Sequence, residues 1–295
     1  MLPHLLLLGV VIIWGCTFIA TKILVAELHP VEIVAARLAI GIPVLGGLLL
    51  AKRVPLRFTR ADLTALLVGG TIFAVHFVIQ AAGLVTTTAT NTGWIIAVTP
   101  LVLAVLSFVL LGERIGGGGI AGIAIATAGI ALLVSRGRIA DLSWLRSTGD
   151  WLILLSTLTW SLYTVSTRNL VRRRDPLAVT LGILTVAAAC VAVVMVLSGD
   201  LGRIRPLSLR ATAALLYLAI PGMAIGQWLW QEGVARLGAA RAGLYLYIEP
   251  LSTVAAAVPL LGEPFGPVVI VGGGLVLAGV YVGQRGRDGR REPIE

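Results

Sequence analysis

Apolar residues along this chain run in long stretches, and polar and charged residues gather in short clusters between them. A helix needs about 20 mostly apolar residues to cross roughly 30 Å of hydrocarbon. Ten stretches meet that length, at approximately 4–26, 31–51, 63–84, 89–111, 116–135, 150–171, 177–198, 210–235, 242–261 and 266–284. The pattern predicts an all-α membrane protein of ten transmembrane helices joined by short connections.

Composition removes the alternatives. Of the 295 residues, 58% are hydrophobic and 13% charged, with a mean hydropathy of +0.98. Soluble domains carry about 25% charged residues, so too few charges are present for a water-facing surface or a disordered chain. The net charge of +9 does not point to nucleic acid, because the 23 Lys and Arg cluster between apolar runs, where they set orientation. With a cytoplasmic N-terminus, 15 of them fall on the cytoplasmic side and 6 on the other. The cytoplasmic set includes Lys52, Arg53, Arg57, Arg60, Arg168, Arg172, Arg173, Arg174 and the tail arginines. Both termini are therefore expected inside, in the inner membrane of a bacterium. Cys16 and Cys190 lie within apolar stretches and are read as packing residues, not as a disulfide or metal site. The apolar N-terminus lacks a basic leading region and a small-residue cleavage site, so it is read as a mature helix.

The chain repeats itself. The segment from Thr99, TPLVLAVLSFVLLGERI, aligns without a gap to EPLSTVAAAVPLLGEPF from Glu249. Pro100 matches Pro250, Gly112 matches Gly262, Glu113 matches Glu263, Gly122 matches Gly272 and Gly129 matches Gly279, each pair 150 apart. Earlier in each half, Trp14 matches Trp160, Thr21 matches Thr167, Lys22 matches Arg168 and Pro30 matches Pro176, each 146 apart. Each half holds five predicted spans, and an odd number turns the second half over in the membrane. The expected organisation is a first repeat at 1–135, a periplasmic linker at 136–149, a second repeat at 150–284 and a basic cytoplasmic tail at 285–295. Such inverted repeats place a binding site near the midplane between the halves.

These residues carry a resemblance. Trp14-Gly15, Phe18, Lys22, Pro30 and Arg37, followed by Pro100, the Leu111-Gly112-Glu113 run and a Gly-rich helix, resemble one repeat of the drug/metabolite transporter superfamily, EamA type. Trp160, Pro176, Pro250, Leu261-Gly262-Glu263 and Gly279 resemble a second copy, in which Ser161 and Ile183 replace the Gly and the Arg. The likeness covers almost the whole chain. It implies movement of metabolites or drugs, often amino-acid export, and the bacterial aromatic amino-acid exporters of that superfamily are similar in length and span count.

Polar and aromatic groups inside a span usually face a cavity or the bundle interior. Trp14, Thr17, Phe18 and Thr21 share one helical face, and Trp160, Tyr163, Thr164 and Thr167 share the repeat-equivalent face. The two faces are expected to oppose each other. Phe73, His76, Phe77 and Gln80 form a third face, and Gln227 and Gln231 lie one turn apart beside Trp230. Trp94 and Tyr245 complete the expected substrate-binding set. Glu249, the sole carboxylate well inside a span, is the candidate for proton coupling. Lys22 and Arg37 are expected to snorkel at the outer ends of their spans or to attract a substrate carboxylate, with Arg168 as counterpart at the inner mouth. Glu113 and Glu263 are read as residues at the start of the following helix, and the Gly-rich fifth and tenth spans as the scaffold joining the halves.

The expected function is secondary transport by alternating access, exporting small solutes, in particular amino acids with apolar or aromatic side chains. A proton-coupled multidrug exporter is the alternative. An intramembrane enzyme is disfavoured, since no HExxH, no Gly-x-Ser-x-Gly, no Walker A loop and no paired intramembrane aspartates occur. No metal, cofactor or nucleic-acid partner is expected. The partners are the solute and the bilayer, with the monomer as functional unit.

Overall fold

A computed structural model describes residues 2–113, 116–134, 147–198, 206–261 and 267–285. The expected Gly262 and Glu263, most of the 136–149 linker and the tail beyond Arg285 lie outside the described residues. Every regular element among the described residues is helical: α1 (Leu2–Leu24), α2 (Pro30–Lys52), α3 (Arg60–Thr86), α4 (Ala89–Ile96), α5 (Thr99–Leu111), α6 (Gly117–Val134), α7 (Thr148–Arg173), α8 (Pro176–Ser198), α9 (Leu209–Tyr217), α10 (Gly226–Leu237), α11 (Ala239–Gly243), α12 (Glu249–Leu261) and α13 (Pro267–Arg285). A π-helical stretch, Leu218–Ile225, joins α9 to α10, and a 3-10 turn, Leu244–Ile248, joins α11 to α12. Among the described residues, six runs are long and apolar enough to cross a membrane: Pro3–Leu24, Pro30–Lys52, Arg60–Thr86, Ala89–Leu111, Pro176–Ser198 and Leu209–Leu237. Gly117–Leu132 and Ile270–Gly283 are apolar and shorter.

Three predicted spans are broken rather than smooth. Proline has no N–H and collides with the carbonyl four residues back. Pro100 therefore ends α4 at Ile96 and restarts the helix as α5, and Pro250 likewise falls where the 3-10 turn gives way to α12. Pro221 sits inside the π-helical stretch of the eighth predicted span. Irregular backbone at membrane depth survives where protein buries it or where it lines a cavity.

Packing is antiparallel along the main contacts. Asp62 of α3 meets Arg174 just beyond α7, Gly69 meets Thr167, His76 meets Ser156, and Gly83 meets Gly149. Capping fixes both ends of this pair. Thr59 and Asp62 form a capping box on α3, and Asp62 also pairs with Arg174 at 2.7 Å. Ser147 and Asp150 do the same on α7, and Asp150 accepts hydrogen bonds from Thr87 at the far end of α3 and from Asn91 in α4. In the same manner α1 runs against α9, the π-helical stretch and α10: Leu7 meets Gly233, Trp14 meets Gly226 and Thr17 meets Gly222. The glycine-lined contact falls between α6 and α13. A Cβ at Gly122 would stand 2.5 Å from the Gly279 carbonyl oxygen, and one at Gly129 would stand 2.7 Å from that of Gly272.

Candidate functional site

A cavity lies among these helices. The wall combines residues of α1, α2, α3, α5, α7, α10 and α12 with Ile96 of α4 and Leu246 of the 3-10 turn. The expected Trp14, Thr17, His76, Phe77, Gln80, Trp160, Gln227 and Glu249 all line it, as does Arg37. Phe18, Ile96, Thr99, Ser156, Thr157 and Leu246 line it too, outside the expected substrate-binding set.

Two of the three helix breaks, those at Pro100 and Pro250, border this cavity. Ile96 and Thr99 flank the first break, and Leu246 and Glu249, each 150 residues further on, flank the second. The proline pair that interrupts the helices was thus the available sign for these four positions.

Trp14 and Trp160 meet edge to face, with ring centroids 5.0 Å apart. Trp230 packs against both, at 5.5 and 5.6 Å. The Trp14 indole N–H donates to the Gly222 carbonyl at 2.8 Å. That carbonyl belongs to the π-helical stretch, where helical pairing is disturbed. The Trp160 and Trp230 indole N–H groups are buried without a protein acceptor. His76 sets its Nδ1 3.0 Å from the Ser156 carbonyl and 3.1 Å from the Thr159 hydroxyl. A carbonyl only accepts, so Nδ1 carries the proton and Nε2 of the neutral ring is an acceptor.

Arg37 departs from the snorkelling expectation. It is 3% exposed, its guanidinium carbon lies 4.5 Å over the Phe77 ring, and it borders the cavity. It stands two turns into α2, on the face that α3 covers through Phe77, so its head group packs on protein rather than reaching water.

The remaining expected site residues lie elsewhere. Phe73 and Tyr163 meet edge to face at 5.1 Å, about one turn deeper than His76 and Trp160. Gln231 donates to the Tyr163 hydroxyl at 2.6 Å and to Thr167 at 3.3 Å. With Trp230, these side chains fill the bundle where the cavity was expected to continue. Trp94 packs in the cluster formed with α6 and α13, and Tyr245 bonds His4 near the start of α1. Their residue types suited a solute site, but their neighbours fill the space around them.

One end of the bundle is sealed. Arg168 donates from Nε to Glu113 Oε1 at 2.7 Å, and Glu113 Oε2 accepts from the Ala240 N–H at 3.1 Å. Glu113 therefore ties α7 to the start of α11, rather than opening α6 as expected. Gly238, at φ +84°, lets the chain turn tightly against this carboxylate. Gly112, at φ +65°, ends α5 as expected. At the opposite end Lys22 donates to the carbonyls of Leu84 and Thr87, both at 2.7 Å. Beyond that end, hydrogen bonds from the Ser208 hydroxyl and amide hold the Glu27 carboxyl below its usual pKa.

The cavity is displaced away from the sealed end. Its lining in α1 and α3 falls in the second half of each helix, at residues 14–18 and 76–80, and in α2 and α7 in the first half, at 37 and 156–160. Among the described residues, the helical bundle thus holds a cavity lined by polar and aromatic side chains. The family comparison specifies it: the model of the EamA-like transporter family matches residues 1–135 and 147–283, and the chain belongs to that family. The uncharacterised transporter YyaM of Bacillus subtilis (strain 168) is 26% identical over 94% of this chain and 92% of its own length. A probable terminal-alkyne amino-acid exporter of Streptantibioticus cattleyicolor is 31% identical over 76% of this chain and 74% of its own. A solved crystal structure covering 95% of both chains aligns with a TM-score of 0.76 at 21% identity, a likeness of fold.

Proposed function

We propose that this transporter is a secondary exporter of amino acids with apolar or aromatic side chains, working by alternating access across the bacterial inner membrane. The observation that carries this reading is the cavity itself, with aromatic walls, neutral hydrogen-bonding groups, and formal charges that cancel between Arg37 and Glu249. A phosphate ester would call for several cations; a zwitterion with an apolar tail suits this lining. The exporter name carried by the Streptantibioticus relative agrees.

The ten spans form two five-helix repeats of inverted topology, 1–135 and 150–284, with a periplasmic linker at 136–149 and both termini cytoplasmic. Support comes from the two segments that match one family and from exchanged packing. The first helix of each repeat packs on the third of the other, α1 on α9–α10 and α7 on α3. Gly122 meets Gly279 while Gly129 meets Gly272, which swaps the repeat-equivalent positions. The chain acts as a monomer, without a cofactor.

Counterflow in proteoliposomes with a panel of amino acids tests the reading. Uptake of apolar and aromatic members above empty vesicles is expected, and no uptake of any of them overturns it. Burial of Glu249 favours a second reading, a proton-coupled drug exporter, in which Glu249→Gln abolishes pH-gradient-driven flux for every solute.

A further inference from the structure

We propose that Arg37 and Glu249 are the two poles of a zwitterion site, the guanidinium taking the substrate carboxylate and the Glu249 carboxylate taking its ammonium group. The assignment rests on the amino-acid reading above.

Both side chains border the same cavity, and they are 3% and 5% exposed. They come from α2 and α12, far apart in the chain. Among the described residues, neither takes part in an ion pair, with the other or with a third group. Arg37 Nε has no hydrogen-bond acceptor, and the guanidinium rests on the Phe77 ring. Arginine does not give up its proton in proteins, and a buried charge left without a counter-charge is costly. A guanidinium held at this depth therefore suits an anion that arrives from outside the protein. Its planar fork matches a carboxylate bidentately. The Glu249 carboxylate, which lines the same cavity, then suits the other end of the same molecule.

The repeat sharpens the assignment. The position equivalent to Arg37 is Ile183, and the position equivalent to Glu249 is Thr99. Each half contributes one charge where its copy is neutral. A pseudo-symmetric cavity thereby becomes polar, and a zwitterion can lie in it one way round. Because the poles belong to different matched segments, a substrate held at both ends bridges the halves.

Competition against labelled phenylalanine in proteoliposomes tests this. Phenylalaninamide lacks the carboxylate and 3-phenylpropionate lacks the amine. The unaltered protein should bind each about tenfold or more weaker than phenylalanine, the cost of one lost charged hydrogen bond. Arg37→Gln should weaken phenylalanine by a similar factor and leave phenylalaninamide unchanged, with Arg37→Lys restoring part of the preference. Glu249→Gln should do the same with 3-phenylpropionate as the insensitive ligand. Equal competition by either analogue on the unaltered protein overturns the assignment and needs no variant to fold. If Glu249→Gln weakens 3-phenylpropionate as much as phenylalanine, the ammonium pole is wrong. If the unaltered protein moves neither phenylalanine nor leucine, the amino-acid reading fails and the poles fail with it; transport of either with equal competition defeats the poles alone.

Discussion

Replacing Glu113 with Gln should release the sealed end of the bundle. The carboxylate holds Arg168 at 2.7 Å and the Ala240 N–H at 3.1 Å, so one group fastens α7 to the chain that leads into α12. Glutamine keeps an oxygen for Ala240 but removes the ionic bond. Hydrogen bonds to charged groups contribute about 1.5–3 kcal/mol net. The two side chains are 17% and 11% exposed, so water reaches the pair, and about 1–2 kcal/mol is the fitting value. If the bond exists only when this end is closed, its loss moves the equilibrium between closed and open by roughly 5- to 30-fold.

Thr167 and Thr21 report on the two ends, since they are repeat-equivalent, both buried, and each next to the basic residue of its mouth. With Cys16 and Cys190 replaced by alanine, a single cysteine at 167 should react faster with a polar maleimide after Glu113→Gln. A single cysteine at 21 should react more slowly. Unchanged rates at both positions would refute the latch. Faster reaction at both would show general loosening of the bundle, and so refute exchange between two closed ends.

Trp160→Ala and His76→Ala should each cut solute flux several-fold in counterflow, since aromatic pairing is worth about 0.5–1.5 kcal/mol beyond burial, while detergent-extracted protein elutes as the parent does; normal flux for every solute would remove both from the site. Gly122→Val should lower folded yield and destabilise by about 1–3 kcal/mol through overpacking, because a Cβ there meets the Gly279 carbonyl at 2.5 Å. Gly46→Val, where a Cβ has nothing within 4 Å, is the control, and equal thermal stability of the two variants would contradict the packing assigned to α6 and α13. Reporter fusions at the C-terminus should be active as cytoplasmic fusions, given the bias of 15 to 6 in basic residues; periplasmic activity would reverse the orientation.

How far the sequence reaches depends on which coordinate of a side chain is asked for. Helical spacing fixes the angle at which a residue leaves its helix, and there the reading succeeds: Trp14 and Trp160 do turn toward each other, and His76, Phe77 and Gln80 do share a wall. Spacing says nothing of the depth at which a cavity stops. Thr17 and Phe18 lie one turn from Trp14, on the cavity side, whereas Tyr163 and Thr167 lie beyond Trp160 in the sealed layer. The equivalent faces thus play unlike parts, because the cavity lies nearer one end of the bundle than the other. A symmetric sequence does not state which end that is. The snorkelling expectation for Arg37 fails for a related reason. A flexible side chain two turns into a helix can reach the head groups or turn inward, and the choice lies with Phe77, which comes from another helix. The breaks at Pro100 and Pro250 were better evidence than any aromatic residue. Their consequence is local and survives whichever end is shut: a proline interrupts the backbone ladder, and the flanking Ile96, Thr99, Leu246 and Glu249 all border the cavity. In this bundle the paired prolines within spans mark the cavity wall more securely than polar residues do, because backbone disruption cannot be relieved by rotating a side chain.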